Sequence, residues 1–208
     1  MKHLLYIVII LCFLSCSDNK VEKFYENGKL MEEYSIDKDK EKHGIFRSYY
    51  PTGILKEDSN YKKGNLTGKR ILFYATGQKE IEESYSEMGH LEGQYYNFYP
   101  NGDVKLEKNY KKNILSGILK AYYSGGKLKE QVTMSNNEEN GPFSEYFENG
   151  QIQWKGTYRN GDNEYGILYE YDSLGTPIKI MKCDTQAICR TIWKPGMPII
   201  NVDTVKYE

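Results

Sequence analysis

Histidines and cysteines are the residues of this sequence best suited to catalytic or metal chemistry, and they are few. His3 lies near the start of the chain, whereas His43 and His90 each adjoin a glycine in a polar stretch. No nucleophile elbow, phosphate-binding loop, His-Glu-x-x-His or Cys-x-x-Cys motif is found. Acidic residues are abundant but scattered, so no catalytic pair stands out. The sequence therefore predicts a protein that is not an enzyme and has no cofactor or metal site.

Cys16 follows a short apolar run at the N-terminus. Residues 4–14 come after Lys2, and these 11 residues are too few for a spanning helix but typical of a secretory signal. The end of the run, Phe13-Leu14-Ser15-Cys16, resembles the lipobox of bacterial lipoproteins, although Leu is usual where Phe13 stands. The resemblance implies cleavage before Cys16 and two acyl chains on it, which make a durable membrane anchor. The alternative is an ordinary cleaved signal with an incidental cysteine.

The expected location is the cell envelope, with the chain anchored in the membrane through lipid. Ser17, directly after the cysteine, resembles the sorting position of outer-membrane lipoproteins, which favours the outer over the inner membrane.

Two further cysteines could form a crosslink. Cys183 and Cys189 stand six residues apart in a chain that we expect to be exported, and disulfides persist in such compartments. A zinc site is disfavoured, because no histidine or third cysteine lies nearby. The residues leave two alternatives open, a disulfide or two free thiols.

Composition limits the kind of core and of partner. Hydrophobic residues make up 39% of the 208 residues, and 20 residues are Tyr, which suits a thin layer of half-buried rings. The formal net charge is -1, with Lys and Glu interspersed. A nucleic-acid partner is not expected, since it requires clustered positive charge.

Two series of glycines repeat with the same period. The first contains a glycine every 24 or 25 residues, at Gly28, Gly53, Gly77, Gly102, Gly126, Gly150 and Gly175. The second runs in phase with it, at Gly44, Gly68, Gly93, Gly117, Gly141 and Gly166. An internal period of this length is typical of repeat architectures.

Each unit also carries a fixed local pattern. An aromatic pair such as Phe24-Tyr25 precedes the first glycine, and apolar and polar residues mostly alternate after it, as in a half-buried strand. Sequences such as Asn27-Gly28 predict hairpin turns, because both residues tolerate positive φ. We expect strand, turn, strand and then a glycine-bounded loop, exemplified by residues 64–68.

The repeated phrase resembles that of the MORN-repeat family, in its variant form Tyr-x-Asn-Gly-x-Leu. Residues 25–30 match it fully, and residues 99–104 match it with Val104 in place of Leu. The resemblance covers about residues 21–178 and implies a non-enzymatic repeat protein. The same variant occurs in proteins catalogued as antitoxins of the YwqK type, which implies a toxin partner as an alternative.

The predicted organisation is a signal peptide (1–15), a lipidated tether (16–20), the repeats (21–178) and a C-terminal cap (179–208). The fold class is all-β, an elongated array of about seven antiparallel β-hairpins forming a twisted, meandering sheet. The expected function is an interaction scaffold for an unknown envelope protein or glycan; the alternative is an antitoxin or immunity-like protein. Edge strands at both ends could also pair copies of the chain.

Overall fold

A computed structural model describes residues 19–204, which form sixteen β-strands and one short 3₁₀ helix but no α-helix. The strands are β1 (Asn19–Phe24), β2 (Leu30–Ile36), β3 (Lys42–Tyr49), β4 (Leu55–Lys62), β5 (Asn65–Phe73), β6 (Lys79–Tyr85), β7 (Gly93–Phe98), β8 (Val104–Lys111), β9 (Ile114–Leu115), β10 (Gly117–Tyr122), β11 (Leu128–Ser135), β12 (Glu138–Tyr146), β13 (Ile152–Tyr158), β14 (Glu164–Tyr171), β15 (Pro177–Cys183) and β16 (Cys189–Trp193). The 3₁₀ helix is Val202–Thr204.

The strands form one open antiparallel sheet. Their order in the sheet follows the chain from β1 to β16, except that the two-residue β9 pairs only with β8, so that β8 also pairs with β10. With neighbouring strands about 4.8 Å apart, the fifteen strands on this path span roughly 70 Å. The predicted meander of hairpins is confirmed.

The first glycine series lies along the side of the sheet formed by one set of strand ends. Seven turns there close the pairs β1–β2, β3–β4, β5–β6, β7–β8, β10–β11, β12–β13 and β14–β15. Each of these turns contains a glycine with φ between 79° and 94°: Gly28, Gly53, Gly77, Gly102, Gly126, Gly150 and Gly175. We call this edge the repeat-turn edge.

The geometry of these turns differs from the expected bend with positive φ at both Asn and Gly. In the first hairpin the Tyr25 N–H donates to the Lys29 carbonyl (2.8 Å), and the Gly28 N–H donates to the Tyr25 carbonyl (2.9 Å). Gly28 has positive φ, but Asn27 does not. The loop is therefore a three-residue type, a turn followed by one left-handed glycine.

Two-residue turns with two positive φ values occur instead at the opposite edge. Lys63-Gly64, Lys112-Asn113 and Asn136-Asn137 join β4 to β5, β8 to β9 and β11 to β12. These turns match the right-handed twist of the strands they connect. We expected two-residue turns at the Asn-Gly positions of the repeat-turn edge. Turns of this kind occur instead at the opposite edge, where they contain other residues.

The second glycine series lies within or at the ends of strands rather than bounding loops, which corrects the expectation for residues 64–68. Gly68 is part of β5, with φ of 69°, and its cross-strand partner is Tyr85. The register of β5 on β4 shifts at this glycine, between Thr67 and Ile71 of β5. A glycine at such a bulge bends the strand while pairing continues.

Buried side chains occupy one face of the sheet. Alternate residues of a strand point to opposite faces, and cross-strand partners share a face. The registers place all nine buried side chains of the described residues together: Phe46, Ser59, Glu83, Leu115, Val132, Met134, Phe143, Leu168 and Cys183. We call this the core face and the opposite one the outer face.

Packing is tightest on the core face of the C-terminal half. Val132 and Leu168 are each 1% exposed, and the Phe143 ring stacks on Tyr158 with centroids 4.1 Å apart. Gly156 lies under these side chains, since a Cβ there would come within 2.8 Å of Leu168 Cγ and 2.9 Å of Phe143 Cε1. The strand therefore requires glycine at this position for close packing.

The core face of the N-terminal half uses charged and aromatic groups together. Phe46 lies between Tyr34 and Tyr61, with ring centroids 5.9 and 5.6 Å away. The Lys42 ammonium lies 4.0 Å from the Phe46 centroid and within 5.0 Å of both tyrosine centroids. A cation over ring faces stabilises this arrangement through the ring quadrupoles.

The predicted boundaries need correction at both ends of the repeats. β1 includes Asn19 and Lys20, which we had assigned to the tether. β15 continues to Cys183 because it pairs along its length with β14, so position 178 lies inside a strand. The cap is therefore β16 and the residues after it, of which Ile199 is 95% exposed. None of the helices within residues 19–204 is long and apolar enough to cross a bilayer.

Candidate functional site

A ladder of tyrosine hydroxyls connects successive repeats at the repeat-turn edge. In five of the six aromatic pairs the second residue is a tyrosine, and its hydroxyl donates a hydrogen bond to the carbonyl of the first aromatic residue in the next unit. The five bonds, 2.7–2.8 Å long, are Tyr25 to Tyr49, Tyr50 to Phe73, Tyr74 to Phe98, Tyr99 to Tyr122 and Tyr123 to Tyr146. These bonds satisfy both the hydroxyl and a carbonyl at the turn, so the ladder fixes the spacing of the units.

Turn asparagines add a second set of links. Asn27 Oδ1 accepts from the Lys29 N–H (3.1 Å), while its Nδ2 donates to the Pro51 carbonyl of the next unit (3.2 Å). Asn149 likewise donates to the Ser173 carbonyl at 2.6 Å. The side chain of Asn therefore connects units. This role explains why Asn recurs in the phrase although its own φ is not positive.

The outer face carries one continuous row of cross-strand partners, which we call the outer row. It consists of Glu22, Glu33, Arg47, Asp58, Ile71, Glu82, Tyr96, Glu107, Lys120, Gln131, Ser144, Lys155, Tyr169, Ile180 and Trp193. None of these side chains is buried. The row is a surface that runs across every repeat and is available to a ligand.

In its N-terminal half the outer row is neutralised by pairs within the protein. Arg47 Nε lies 3.4 Å from Asp58, and Lys69 Nζ lies 2.5 Å from Glu82. Lys20 lies 2.9 Å from Glu33, whose other contact, the Tyr49 hydroxyl, helps to lower the pKa of that carboxyl. Exposed pairs of this kind contribute little stability, but they leave this part of the face electrically balanced.

The C-terminal half presents an aromatic platform with a lysine beside it. The rings of Tyr169 and Tyr171 are nearly parallel, with centroids 6.4 Å apart. Lys155 Nζ lies 4.6 Å from the Tyr169 centroid and 5.6 Å from that of Tyr171. We call these three side chains the Tyr169 platform.

The core face holds a half-buried ionic cluster in the N-terminal half. Arg70 donates to Glu57 (2.8 Å) and to Glu83 (2.9 Å), and the Tyr85 hydroxyl donates to Glu83 (2.9 Å). Burial and the bond to Glu83 raise the pKa of Tyr85 to about 12. All the groups have partners, so the cluster serves to connect β4, β5 and β6.

Carboxylates that form no ion pair within residues 19–204 occupy the core face of the C-terminal half. Glu130 and Glu145 are direct cross-strand partners. Burial and then the charge of Glu130 raise the pKa of the Glu145 carboxyl. Burial and neighbouring acids also raise the pKa of Glu139 and, beside them, of the Tyr158 hydroxyl. Like charges placed opposite each other destabilise a sheet, so this cluster weakens the fold locally.

Comparison with known sequences identifies the repeat. The pattern of the MORN repeat variant matches residues 18–38, 42–63, 91–112, 115–136 and 139–160, which together are more than half of the chain. The chain belongs to the MORN-repeat family. No curated protein matches it. MORN repeats indicate a repeat protein involved in binding.

The five MORN matches correspond to the hairpins β1–β2, β3–β4, β7–β8, β10–β11 and β12–β13. The structure adds two hairpins outside these matches, β5–β6 and β14–β15, with the same turn bonds. Their sequences depart from the MORN phrase, since Lys79 stands at the Leu position in one and Asp172 replaces the second aromatic in the other. Backbone pairing preserves the repeat where the phrase is lost.

The structure brings the two C-terminal cysteines together. Cys183 and Cys189 are cross-strand partners in β15 and β16 and form a disulfide. Glu164 lies close enough to complete a three-donor group. Since both sulfurs are bonded to each other, they cannot act as thiolate ligands for a metal.

The structure does not bring together the other residues that we considered for catalytic or metal chemistry. His43 is in β3, whereas His90 lies in the turn between β6 and β7. Cys16 lies outside the described residues, so its lipidation stays a prediction.

The sequence did not indicate the acceptors of the tyrosine ladder. The signal available was that Tyr fills the second aromatic position in every pair except the one ending in Phe147.

Proposed function

We propose that this MORN-repeat protein is a non-enzymatic, lipid-anchored scaffold that binds a protein or glycan partner in the bacterial cell envelope. The observation that carries the proposal is the outer row. It spans fifteen strands without a covering layer in the described residues, while the buried side chains lie on the opposite face. A repeat that presents one open face along its length offers an extended binding surface.

The anchor is supported by the residues before the sheet. Leu14-Ser15 precede Cys16, and β1 begins at Asn19, three residues later. Three residues reach at most about 10 Å. An acylated Cys16 would therefore hold the first hairpin close to the membrane surface, with the sheet free to contact other envelope components.

A structural role accounts for the charged clusters without catalysis. Arg70 and Tyr85 each donate a hydrogen bond to Glu83, so these groups hold adjacent strands together. The carboxylates around Glu145 lie on the core face, opposite the surface that we assign to the partner.

A site-specific photo-crosslinking experiment in the native envelope tests the scaffold. A photo-reactive residue at Gln131, on the outer row, is compared with one at Glu130, its neighbour on the core face of the same strand. We expect adducts from Gln131 and few from Glu130. Equal yields, or no adduct from either site, would contradict the proposal. Recovery of a toxin whose activity the chain blocks would assign the antitoxin function instead.

Membrane fractionation tests the anchor separately. Cys16→Ser is expected to move the protein from the membrane to the soluble fraction, because a single lost acylation site removes both chains. Cys12→Ser is the matched control and should leave the protein in the membrane. Retention of the Cys16→Ser protein would show that lipid on this residue is not what holds it.

A further inference from the structure

The charges of the outer row are divided between its two halves. Five of its first eight residues are acidic, Glu22, Glu33, Asp58, Glu82 and Glu107, and none of its last seven is. The last seven include Lys120 and Lys155, three strands or about 14 Å apart, of which Lys120 also lies 4.0 Å from Glu107. Lys182 and Arg190, partners on the same face, add positive charge, although Arg190 also pairs with Asp184.

The opposite face of the same strands has the opposite sign. On the core face the corresponding row contains Glu130 and Glu145 as direct partners and then Glu170, which is separated from Glu145 by Trp154. Lys179, beside Glu170, is the only lysine in this row. The sheet from β10 to β16 is thus polarised across its thickness. Its outer face complements a negatively charged ligand.

Lys155 is the clearest candidate for contacting that ligand. It makes no ion pair within residues 19–204, and its ammonium is held over the rings of the Tyr169 platform. Lys69, on the outer face of the other half, is instead neutralised by Glu82. A lysine without an acidic partner gains most from an incoming anion.

The platform also indicates what kind of anion fits. Two nearly parallel aromatic rings present flat, apolar faces, which suit the C–H faces of pyranose rings. Gln131 and Ser144, which lie between Lys120 and Lys155 in the outer row, offer hydrogen bonds to sugar hydroxyls. Carboxylates on the sugars would meet Lys155 and Lys120.

We propose that the outer face of β10–β16 binds an acidic glycan, with sugar rings on the Tyr169 platform and sugar carboxylates at Lys155 and Lys120. This proposal rests on the outer face being the interaction surface, and it names the ligand class. The chain's net charge of -1 favours a ligand of moderate charge density over a polyphosphate.

The test measures binding of the full chain in detergent to three ligands by titration calorimetry. The ligands are an oligogalacturonate, its neutral methyl ester and a polyglutamate peptide of equal charge. We expect the oligogalacturonate to bind, more weakly as salt rises, and the other two to bind at least about tenfold more weakly.

Four variants locate the site. Lys155→Gln and Tyr169→Val should each weaken oligogalacturonate binding by roughly five- to tenfold. Their controls on the other half are Lys69→Gln and Tyr96→Val, since Tyr96 also lies beside an aromatic neighbour, Phe98, with ring centroids 6.2 Å apart. These changes should alter binding less than about twofold. Circular dichroism melts verify that each variant is folded.

Several results would overturn the proposal. One is equal binding of the methyl ester; another is no binding of the oligogalacturonate. If polyglutamate binds as tightly as the sugar and Tyr169→Val has no effect, the face binds an acidic protein segment. In each case adducts at Gln131 would still support the scaffold, so failure here is distinguishable from failure of the proposed function.

Discussion

The hydroxyl of Tyr74 donates a hydrogen bond to the carbonyl oxygen of Phe98, 24 residues further along the chain, at 2.7 Å. The bond connects the ends of two hairpins that are neighbours in the sheet, and four others repeat it. The period of the sequence is therefore also the period of a hydrogen-bond ladder.

Tyr74→Phe should lower the free energy of unfolding by about 0.5–1.5 kcal/mol, the usual contribution of one intramolecular hydrogen bond. The ring stays, so the change isolates the hydroxyl. Urea titration followed by circular dichroism measures it. Tyr96→Phe is the control, because its hydroxyl makes no hydrogen bond to protein within residues 19–204, and it should be nearly neutral. Equal effects of the two variants would refute a role for the ladder.

Gly156→Ala tests the close packing of the C-terminal core. The added Cβ would come within 2.9 Å of Leu168 and Phe143, so we expect a loss of about 1–3 kcal/mol from overpacking. Phe143→Leu in the same chain should relieve part of the clash, giving a combined effect smaller than the sum. Strict additivity of the two changes, measured by chemical denaturation, would argue against the contact.

The acidic cluster on the core face predicts a pH dependence. The pKa of Glu145 is raised in the folded state by burial and then by Glu130. A raised folded pKa means that the stability from this carboxyl is complete below its unfolded pKa and is lost as pH rises through the folded value.

Glu145→Gln should therefore stabilise the protein at pH 7 and have little effect on stability below the ordinary carboxyl pKa of 4.5. The expected gain is roughly 0.2–1 kcal/mol, the range for a cross-strand pair. Thermal melts at several pH values measure it, with the exposed turn residue Glu148 changed to Gln as control. A gain that does not depend on pH would contradict the charge explanation.

Reduction of the Cys183–Cys189 disulfide should loosen β16 and leave distant repeats unchanged. The bond closes a small loop, with a sequence separation of 6, so its chain-entropy contribution is about 2 kcal/mol. In a linear array each unit depends on its neighbours. Hydrogen exchange should accelerate in β15 and β16 on adding reductant, or in a Cys183→Ser, Cys189→Ser protein. Uniform acceleration from β1 onward would indicate global rather than local coupling.

Some features followed from the sequence because they depend on short stretches of chain. The positions of Gly28 and its six counterparts fixed the hairpin turns, since a left-handed residue is needed once per turn. Alternation of apolar and polar residues indicated strands, and the phrase at residues 25–30 indicated the MORN family. Neighbouring repeats stack in order, so a local unit and its period were enough to predict the meander.

Other features depended on register, which only the tertiary structure decided. Bulges such as the one at Gly68 shift the pairing of one strand on the next, and a shift of one residue exchanges the two faces. The sequence could not show that Lys155 and Tyr169 are partners on the outer face while Glu130 and Glu145 meet on the core face. It also left the state of Cys183 and Cys189 open, because six residues of separation permit a disulfide only if the intervening turn aligns the two strands.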